Sequence, residues 1–342
     1  MNNKNNIKRS RRGSGAITLR DVAKLAGVAP ITASRAVNTP EQVSPDVLKK
    51  VLDAVQRTGY VPNRIAGGLA SSRSRLIAAV VPSTVMSVFM ETIESLNASL
   101  FDAGYQLMLG QSGYSAAREE LLLEAVIGRR PDGIFLTGIL PPGKSRTPLL
   151  ASGIPVVETW DLTPTPIDML VGFSHSDIGR AVANFLMSRK RKRLALVRAD
   201  DERAARRAAA FTEAVRARGL PDVFVVNVGD SRSLKSGREA MARIVWEAPD
   251  VDAIFCSSDL LALGVVTQAR AQGVAVPDRM AVIGFGDVPF LAEMVPALST
   301  VRINGAEIGK QAAHFLIERA QGRPIDPRVL DVGFAIVERD TT

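Results

Sequence analysis

The sequence predicts a chain of two unlike parts, a small all-α unit at the N-terminus and a larger α/β body built on two doubly wound parallel sheets. Three observations predict this. Residues 18–59 carry three short helical signatures punctuated by Gly27 and Gly59. From residue 76 onward, short apolar runs alternate with helical stretches, the pattern of parallel strands joined by crossover helices. That rhythm is run through once and then restarts near residue 193, which implies two similar lobes.

In "TLRDVAKLAGVAPITASRAVN" (18–38), Thr18 and Asp21 form a capping box, Val22, Ala23, Leu25 and Ala26 an apolar stripe, and Gly27 a turn. Pro30 falls at the start of a second helix, where a missing N–H is tolerated. This is a helix-turn-helix pattern. A third helix opens with Ser44 as N-cap and Pro45 in its first turn, turns Val47, Leu48, Val51, Leu52 and Val55 inward, and stops at Gly59. If the second helix enters a major groove, Ile31 is placed for a thymine methyl, Thr32 for a base or phosphate, and Arg35 for the bidentate guanine contact. The competing reading is a plain packing unit with Arg35 in a surface ion pair.

Charge favours the first reading. Residues 1–75 hold 14 Lys and Arg against 4 Asp and Glu, whereas the other 267 residues hold 29 against 31. The whole positive excess therefore lies in the N-terminal segment, as expected of a polyanion binder. Residues 4–12 supply five of those charges, so a solubilising tail is the blander alternative. The expected organisation is a basic flexible tail (1–17), a helix-turn-helix domain (18–61), a linker (62–75) and the two-lobed body (76–342).

The body reads as strands at "RLIAAVVP", "YQLMLG", "DGIFLTG", "IPVVET" and "MLVGF", with helices near 87–103 and 115–129, then strands at "RLALVRA", "DVFVVNV", "DAIFCSSD" and "MAVIGFG". Ligand is expected in the cleft at the carboxyl ends of such strands. No apolar run approaches the ~20 residues of a membrane span. The N-terminus "MNNKNNIKRSRRGSGA" lacks the apolar core of a secretory signal, so a cytoplasmic protein without membrane association is expected. Cys256 is the single cysteine, which excludes an intramolecular disulfide framework and suits a reducing compartment.

Enzymatic chemistry finds little support. "GILPPGKS" (138–145) fits the phosphate-loop pattern G-x-x-x-x-G-K-[ST], yet Pro141 and Pro142 remove N–H donors where phosphates would be cradled. Pro148 disfavours helix at Thr147, where the helix should extend. His175 and His314 lack metal-ligand spacing, and no G-x-S-x-G motif occurs. No cofactor, metal or catalytic residue is expected.

The first 75 residues resemble the headpiece and hinge of the lactose/galactose repressor (LacI/GalR) family, through V-A-x-x-A-G-V, S-R-x-x-N, V-S, G-Y-x-P-N and A-x-x-L in register. The body resembles it too, in "GRRPDGIFLTG", "VGFSHSDIGRAVANFL", "AIFCSSDLLALGVV" and "VPDRMAVIGFGDVP". The resemblance implies a periplasmic-binding-protein-like body whose chain crosses between lobes three times, with residues near 303–326 returning to the first lobe. It also implies a homodimer on a palindromic double-stranded DNA operator, contacted by Thr18, Pro30, Ile31, Thr32, Ser34, Arg35, Asn38 and Ser44. The segment after "PN" is expected to form a hinge helix on DNA, where Leu69 wedges into the minor groove with Asn63, Arg64, Ala66 and Ala70 around it.

Within the family, "PSTVMSVFMETI", "GYSAAREE", "PVVETWD", "DERAARRAAAF" and "LDVGFAI" look most like the gluconate-operon repressor branch. This implies a sugar-acid effector, gluconate or a ketogluconate, held by Phe89, Glu158, Trp160, Arg203, Arg207, Ser258, Asp259 and Asp287. Two arginines one helical turn apart suit a carboxylate, which arginine binds bidentately. The alternative is that Arg203, Arg206 and Arg207 are solvated helix charges paired with Asp201 and Glu202. The chain departs from family habit at "GFGDVP", where Gly286 stands first instead of an acid, at Ser258 for a frequent Asn, and at Ser174-His175 for an Asp-Asn pair. A two-lobed sugar-transport protein and a nucleotide hydrolase are the functional alternatives.

Overall fold

The structure, a computed structural model, describes residues 17–61, 74–83, 88–113, 115–140, 143, 146–230 and 232–342. The chain divides into two compact units, at Met1–Ser74 and Arg75–Thr342.

The first unit contains α1 (Leu19–Ala26), α2 (Pro30–Asn38) and α3 (Pro45–Thr58), with a single 3-10 turn at Pro40–Gln42 that the sequence pattern did not signal. Asp21 fixes the start of α1 by accepting the Thr18 backbone N–H at 2.8 Å and its hydroxyl at 2.6 Å. Gly27 ends α1 in the left-handed conformation at φ 67°, which an L side chain resists. The core is small and alanine-rich: Val22, Ala23, Ala33, Ala36, Val51 and Ala54. Leu25 and Leu52, expected inside, are 44% and 51% exposed. Val51 and Ala54 are the buried residues of α3, with Val47, Leu48 and Val55 packed against them, and Leu52 lies at the edge of that stripe.

The body holds two six-stranded sheets. The first lobe is built from β1 (Leu76–Val81), α4 (Met90–Asp102), β2 (Gln106–Gln111), α5 (Ala116–Ile127), β3 (Gly133–Thr137), α6 (Arg146–Ser152), β4 (Val156–Thr159) and β5 (Met169–Gly172). The second follows with α7 (His175–Ser188), β6 (Leu194–Arg198), α8 (Glu202–Ala217), β7 (Phe224–Asn227), α9 (Leu234–Glu247), β8 (Ala253–Cys256), α10 (Asp259–Ala271), β9 (Ala281–Gly286) and β10 (Ser299–Arg302). The chain then returns through α11 (Gly305–Ala320) and β11 (Val329–Asp331), and ends on β12 (Ala335–Val337). Strand orders are β11-β5-β4-β3-β1-β2 and β12-β10-β9-β8-β6-β7, parallel throughout except for the β10–β12 pair. Every strand expected in the body forms. The chain crosses between lobes three times, after β5, β10 and β11, and α11 packs on α4 in the first lobe as the resemblance implied.

Central strands read as unbroken apolar runs because both faces are covered by helices. Glycine sets how closely those helices pack. A Cβ on Gly179 of α7 would lie 2.1 Å from the Arg207 carbonyl of α8. The same close approach joins Gly237 and Gly264 across α9 and α10, and Gly309 of α11 to α4. Because α8 carries the arginines of the cleft, Gly179 fixes their depth. Gly179→Ala should push α7 from α8 and cost at least about 2 kcal/mol, as overpacking against a backbone does. Differential scanning calorimetry of the full chain would then show a Tm lower by about 3–4 °C or more; an unchanged Tm would contradict this packing.

Candidate functional site

In the N-terminal unit, α2 buries Ala33 and Ala36, which leaves the opposite face to solvent. Ile31 is 62% exposed, Arg35 and Asn38 are exposed, and Thr32 and Ser34 are half-buried. Asn38 is tied back by its Nδ2 to the Ser34 carbonyl at 3.0 Å. The α2 N-terminus has no side-chain cap, and Pro30 sits in its first turn, so the N–H groups of Ile31 and Thr32 have no intrahelical acceptor and suit an anion. Thr18 and Ser44 are exposed at the starts of α1 and α3. Asn63, Arg64, Ala66, Leu69 and Ala70 lie outside the described residues. Residues 17–61 hold six basic and four acidic side chains, so most of the positive excess belongs to the segments that flank the folded unit.

In the body, a cavity of about 290 Å³ opens at the carboxyl ends of both sheets. Phe89 and Trp160 line it from the first lobe, and Asp201, Arg203, Arg207, Arg232, Ser258, Asp259 and Phe285 from the second. Phe89 and Trp160 meet edge to face with ring centroids 4.8 Å apart. Trp160 adopts φ 65°, an uncommon conformation for a large side chain, held by its Nε1–H on Thr92 Oγ1 at 3.2 Å and its backbone N–H on Val171.

That backbone turn aims the Trp160 carbonyl at His175, whose Nε2–H donates to it at 3.0 Å. The other ring nitrogen, Nδ1, faces an Arg207 Nη at 2.9 Å and must therefore accept. His175 is thus neutral with its proton on Nε2. Burial and the Arg207 and Arg203 charges together hold its pKa well below the ordinary value. Arg207 is 4% exposed, donates its second Nη to the Ser257 carbonyl at 3.2 Å, and lies 4.0 Å over the Phe285 ring. Its Nε finds no hydrogen-bond partner among the described residues. Burial lowers its pKa to about 10, which leaves the guanidinium charged at neutral pH.

The three arginines expected on α8 have separate roles. Arg206 pairs with Asp161 of the first lobe at 2.6 Å and with Glu202 at 3.2 Å, so it bridges the lobes. Arg203 stands 4.0 Å from Asp201 and lies over the Phe89 ring at 5.5 Å. Asp201 caps α8 through the Ala204 N–H and accepts Arg232 at 2.8 Å. Burial disfavours its charge, but these bonds outweigh that and its pKa is lowered. Among the described residues Arg207 has no carboxylate at bonding distance, and it lines the cavity.

Six of the eight expected effector residues line the cavity: Phe89, Trp160, Arg203, Arg207, Ser258 and Asp259. Two do not. Glu158 is fully buried and accepts the backbone N–H groups of Leu140 (3.0 Å) and Ile167 (2.7 Å), so its carboxylate ties two loops together instead of facing ligand. Burial raises its pKa against those bonds. Asp287 turns to Arg302 and Arg339 and cannot replace the acid missing at Gly286. The space of that acid is occupied: a Cβ at Gly286 would meet Val88 at 3.1 Å and Asp259 Oδ2 at 3.3 Å. His175, Asp201, Arg232 and Phe285 were not singled out as ligand-facing. The only signal for His175 was its replacement of a family asparagine.

The "GILPPGKS" segment shows why its pattern misleads. The Gly138 N–H bonds the Thr159 carbonyl at 2.7 Å and the Leu140 N–H bonds Glu158, so these donors point into the protein. Among the described residues, no cluster of His, Cys, Asp and Glu is arranged to hold a metal, and no helix is long and apolar enough to cross a membrane.

A helix-turn-helix unit joined to a two-lobed body with an arginine-lined cavity is the architecture of a DNA-binding transcriptional regulator. Residues 18–63 match the model of the bacterial regulatory proteins of the lacI family, and residues 183–342 that of a periplasmic binding protein-like domain. The chain is 36% identical over 334 residues to the HTH-type transcriptional regulator GntR of Pseudomonas aeruginosa, covering 97% of each protein. A crystal structure of a LacI-family transcriptional regulator from Silicibacter pomeroyi superposes with a TM-score of 0.89 at 31% identity, over 95% of this chain and 99% of that one. A complex of the transcriptional regulator CelR with cellobiose superposes with a TM-score of 0.69 at 27% identity, over 95% and 100%. The chain belongs to the LacI family of DNA-binding transcriptional regulators.

Asp259 gives the cavity a pH signature. It is 2% exposed and accepts the Thr300 hydroxyl at 2.6 Å and the Val288 N–H at 2.9 Å, but burial outweighs both and raises its pKa to about 6. The folded protein keeps this proton up to about pH 6, whereas the unfolded chain releases it near pH 4. The folded state thus binds more protons in that window, and this group's contribution to stability falls as pH rises through it. Asp259→Asn removes that slope, its amide oxygen accepting the Val288 N–H and its Nδ2 donating to a turned Thr300 hydroxyl. Urea unfolding at pH 4.5 and 7.5 should show the wild type losing on the order of 2 kcal/mol more than the variant between the two pH values; equal losses would refute the buried-proton assignment.

Proposed function

We propose that the cleft of this LacI-family regulator binds a small sugar acid, gluconate or a close ketogluconate. Binding releases a homodimer from a palindromic operator controlling genes for uptake and catabolism of that acid. The observation that carries the reading is Arg207: a buried guanidinium that stays charged, has an unpartnered Nε, and faces a cavity with Arg203 beside it. A carboxylate supplies the missing counter-charge and acceptor. Phe89 and Trp160 offer aromatic faces to a carbon skeleton, while Ser258 and Asp259 offer polar atoms to hydroxyls. The GntR-named relative and the CelR–cellobiose complex support a sugar-derived ligand.

On the DNA side, α2 presents Ile31, Arg35 and Asn38 on one exposed face, as a recognition helix requires. Residues 62–75 then act as the hinge, with Leu69 as the minor-groove wedge. Dimerisation is supported by apolar side chains beside the two open sheet edges. Phe101, Leu109 and Leu121 are exposed on α4, β2 and α5, and Val225 and Trp246 on β7 and α9. Such a regulator works in the bacterial cytoplasm. Lobe closure on the acid changes operator affinity, and by linkage operator binding changes acid affinity by the same factor.

Fluorescence anisotropy with labelled DNA from the protein's own upstream region tests the reading. Gluconate or 2-ketogluconate should weaken binding at least about tenfold, which is about 1.4 kcal/mol of coupling. Arg207→Ala should bind the same DNA but lose the response. If neither acid changes the wild-type titration, the sugar-acid assignment fails. Arg35→Ala should lose most discrimination between operator and unrelated DNA, while its weak binding keeps a steep salt dependence. Preserved discrimination would overturn the placement of α2.

A further inference from the structure

The ligand space does not end at Arg203. A second compartment of about 210 Å³ lies beyond it, and Asp201 and Arg203 line both. On one side the Arg203 guanidinium covers the Phe89 ring; on the other its Nη1 passes over Gly138, 3.8 Å from where a Cβ would stand. Gly138, at φ 116°, leaves that side open.

The two compartments differ in chemistry. Beyond Arg203 the first lobe contributes Ser112, Thr137 and Glu119 from the ends of β2 and β3 and the first turn of α5. Thr137 is 8% exposed, yet its Oγ1 has no hydrogen-bond partner among the described residues. Leaving a buried hydroxyl unbonded costs about 1–3 kcal/mol, which a ligand group met by rotation of this side chain would recover. Glu119 faces Arg203; burial pushes its carboxyl up and the Arg203 charge opposes that. On the facing wall Arg206 is already neutralised by Asp161 and Glu202. Acidic groups outnumber guanidinium groups here, so a second anion is disfavoured, while hydroxyls that both donate and accept are matched.

Size points the same way. The first compartment, about 290 Å³, sits at the lower end of the roughly 300–1,000 Å³ of ordinary small-molecule sites, and the second adjoins it across Arg203 and Asp201. We propose that the second compartment is a subsite for a neutral polyhydroxylated unit joined to the acid held at Arg203 and Arg207. The ligand that fills the cleft best is then an aldonic acid carrying a second sugar ring. This inference rests on the sugar-acid reading above.

Isothermal titration of the full-length protein with gluconate, maltobionate and lactobionate tests it. At least one of the two-ring acids should bind ten times tighter than gluconate. Thr137→Val and Ser112→Ala should each weaken that ligand fivefold or more and leave gluconate, which needs only the first compartment, within twofold. Gluconate binding also reports that each variant is folded. If gluconate binds and neither two-ring acid binds tighter, or if the variants weaken both ligand types in parallel, the subsite is refuted while the sugar-acid reading stands. If no acid binds the wild type, the sugar-acid reading falls and the subsite with it.

Discussion

The cleft is organised around one buried positive charge. Arg207 could not remain a cation at 4% exposure without acceptors, and the protein supplies two neutral ones, His175 Nδ1 and the Ser257 carbonyl. Each belongs to a chain of constraints. His175 can accept only if its proton sits on Nε2, and that proton is directed by a carbonyl which Trp160 presents through a left-handed backbone turn. Trp160 in turn is fixed by Thr92, Phe89 and Phe173. The carboxylates that act on Arg207, Asp201 and Asp161, do so at a distance, and its direct partners are neutral.

The same contacts join the lobes. Trp160 belongs to the first lobe, and Ser257 and His175, the first residue of α7, to the second. The Arg206–Asp161 pair crosses the same cleft, with Asp161 buried and Arg206 partly exposed. Because Arg203, Arg206 and Arg207 share α8, and α8 rests on α7 at Gly179 with no side chain between, the three cannot move independently. A ligand drawn to Arg207 therefore acts on a rigid helix that is also ion-paired to the opposite lobe. That is the kind of discrete element through which binding energy can bias one arrangement over another.

Much of this was legible in the residues. Nine of the twelve strands described in the body, β1 to β9, were visible as apolar runs, whereas the short β10, β11 and β12 were not; the helix-turn-helix was visible because Gly27 and Pro30 have one physical use each. Glu158 and Asp287 misled for the opposite reason. A carboxylate beside a cleft and one spent on backbone N–H groups or on Arg302 and Arg339 look alike until the loops are placed. Leu25 and Leu52 misled because they flank the buried stripe without entering it: Val22 and Ala23 fill it on α1, Val51 and Ala54 on α3. His175 carried no ligand signature, since its role depends on two partners 15 and 32 residues away. The basic N-terminal excess was correctly located in the chain, but the folded three-helix unit carries the smaller part of it.

The three crossings have a consequence for how such a protein can be taken apart. Each lobe is assembled from stretches of chain that are separated in sequence: the first needs α11 and β11 from near the C-terminus, and the second closes on the last strand, β12. No single cut within residues 75–342 yields two complete lobes. The N-terminal unit, by contrast, is one uninterrupted segment with its own core. Recombination between relatives can therefore exchange the DNA-reading part in one splice, giving an old sensor a new address, whereas the sensor itself must be inherited whole and can diversify only residue by residue.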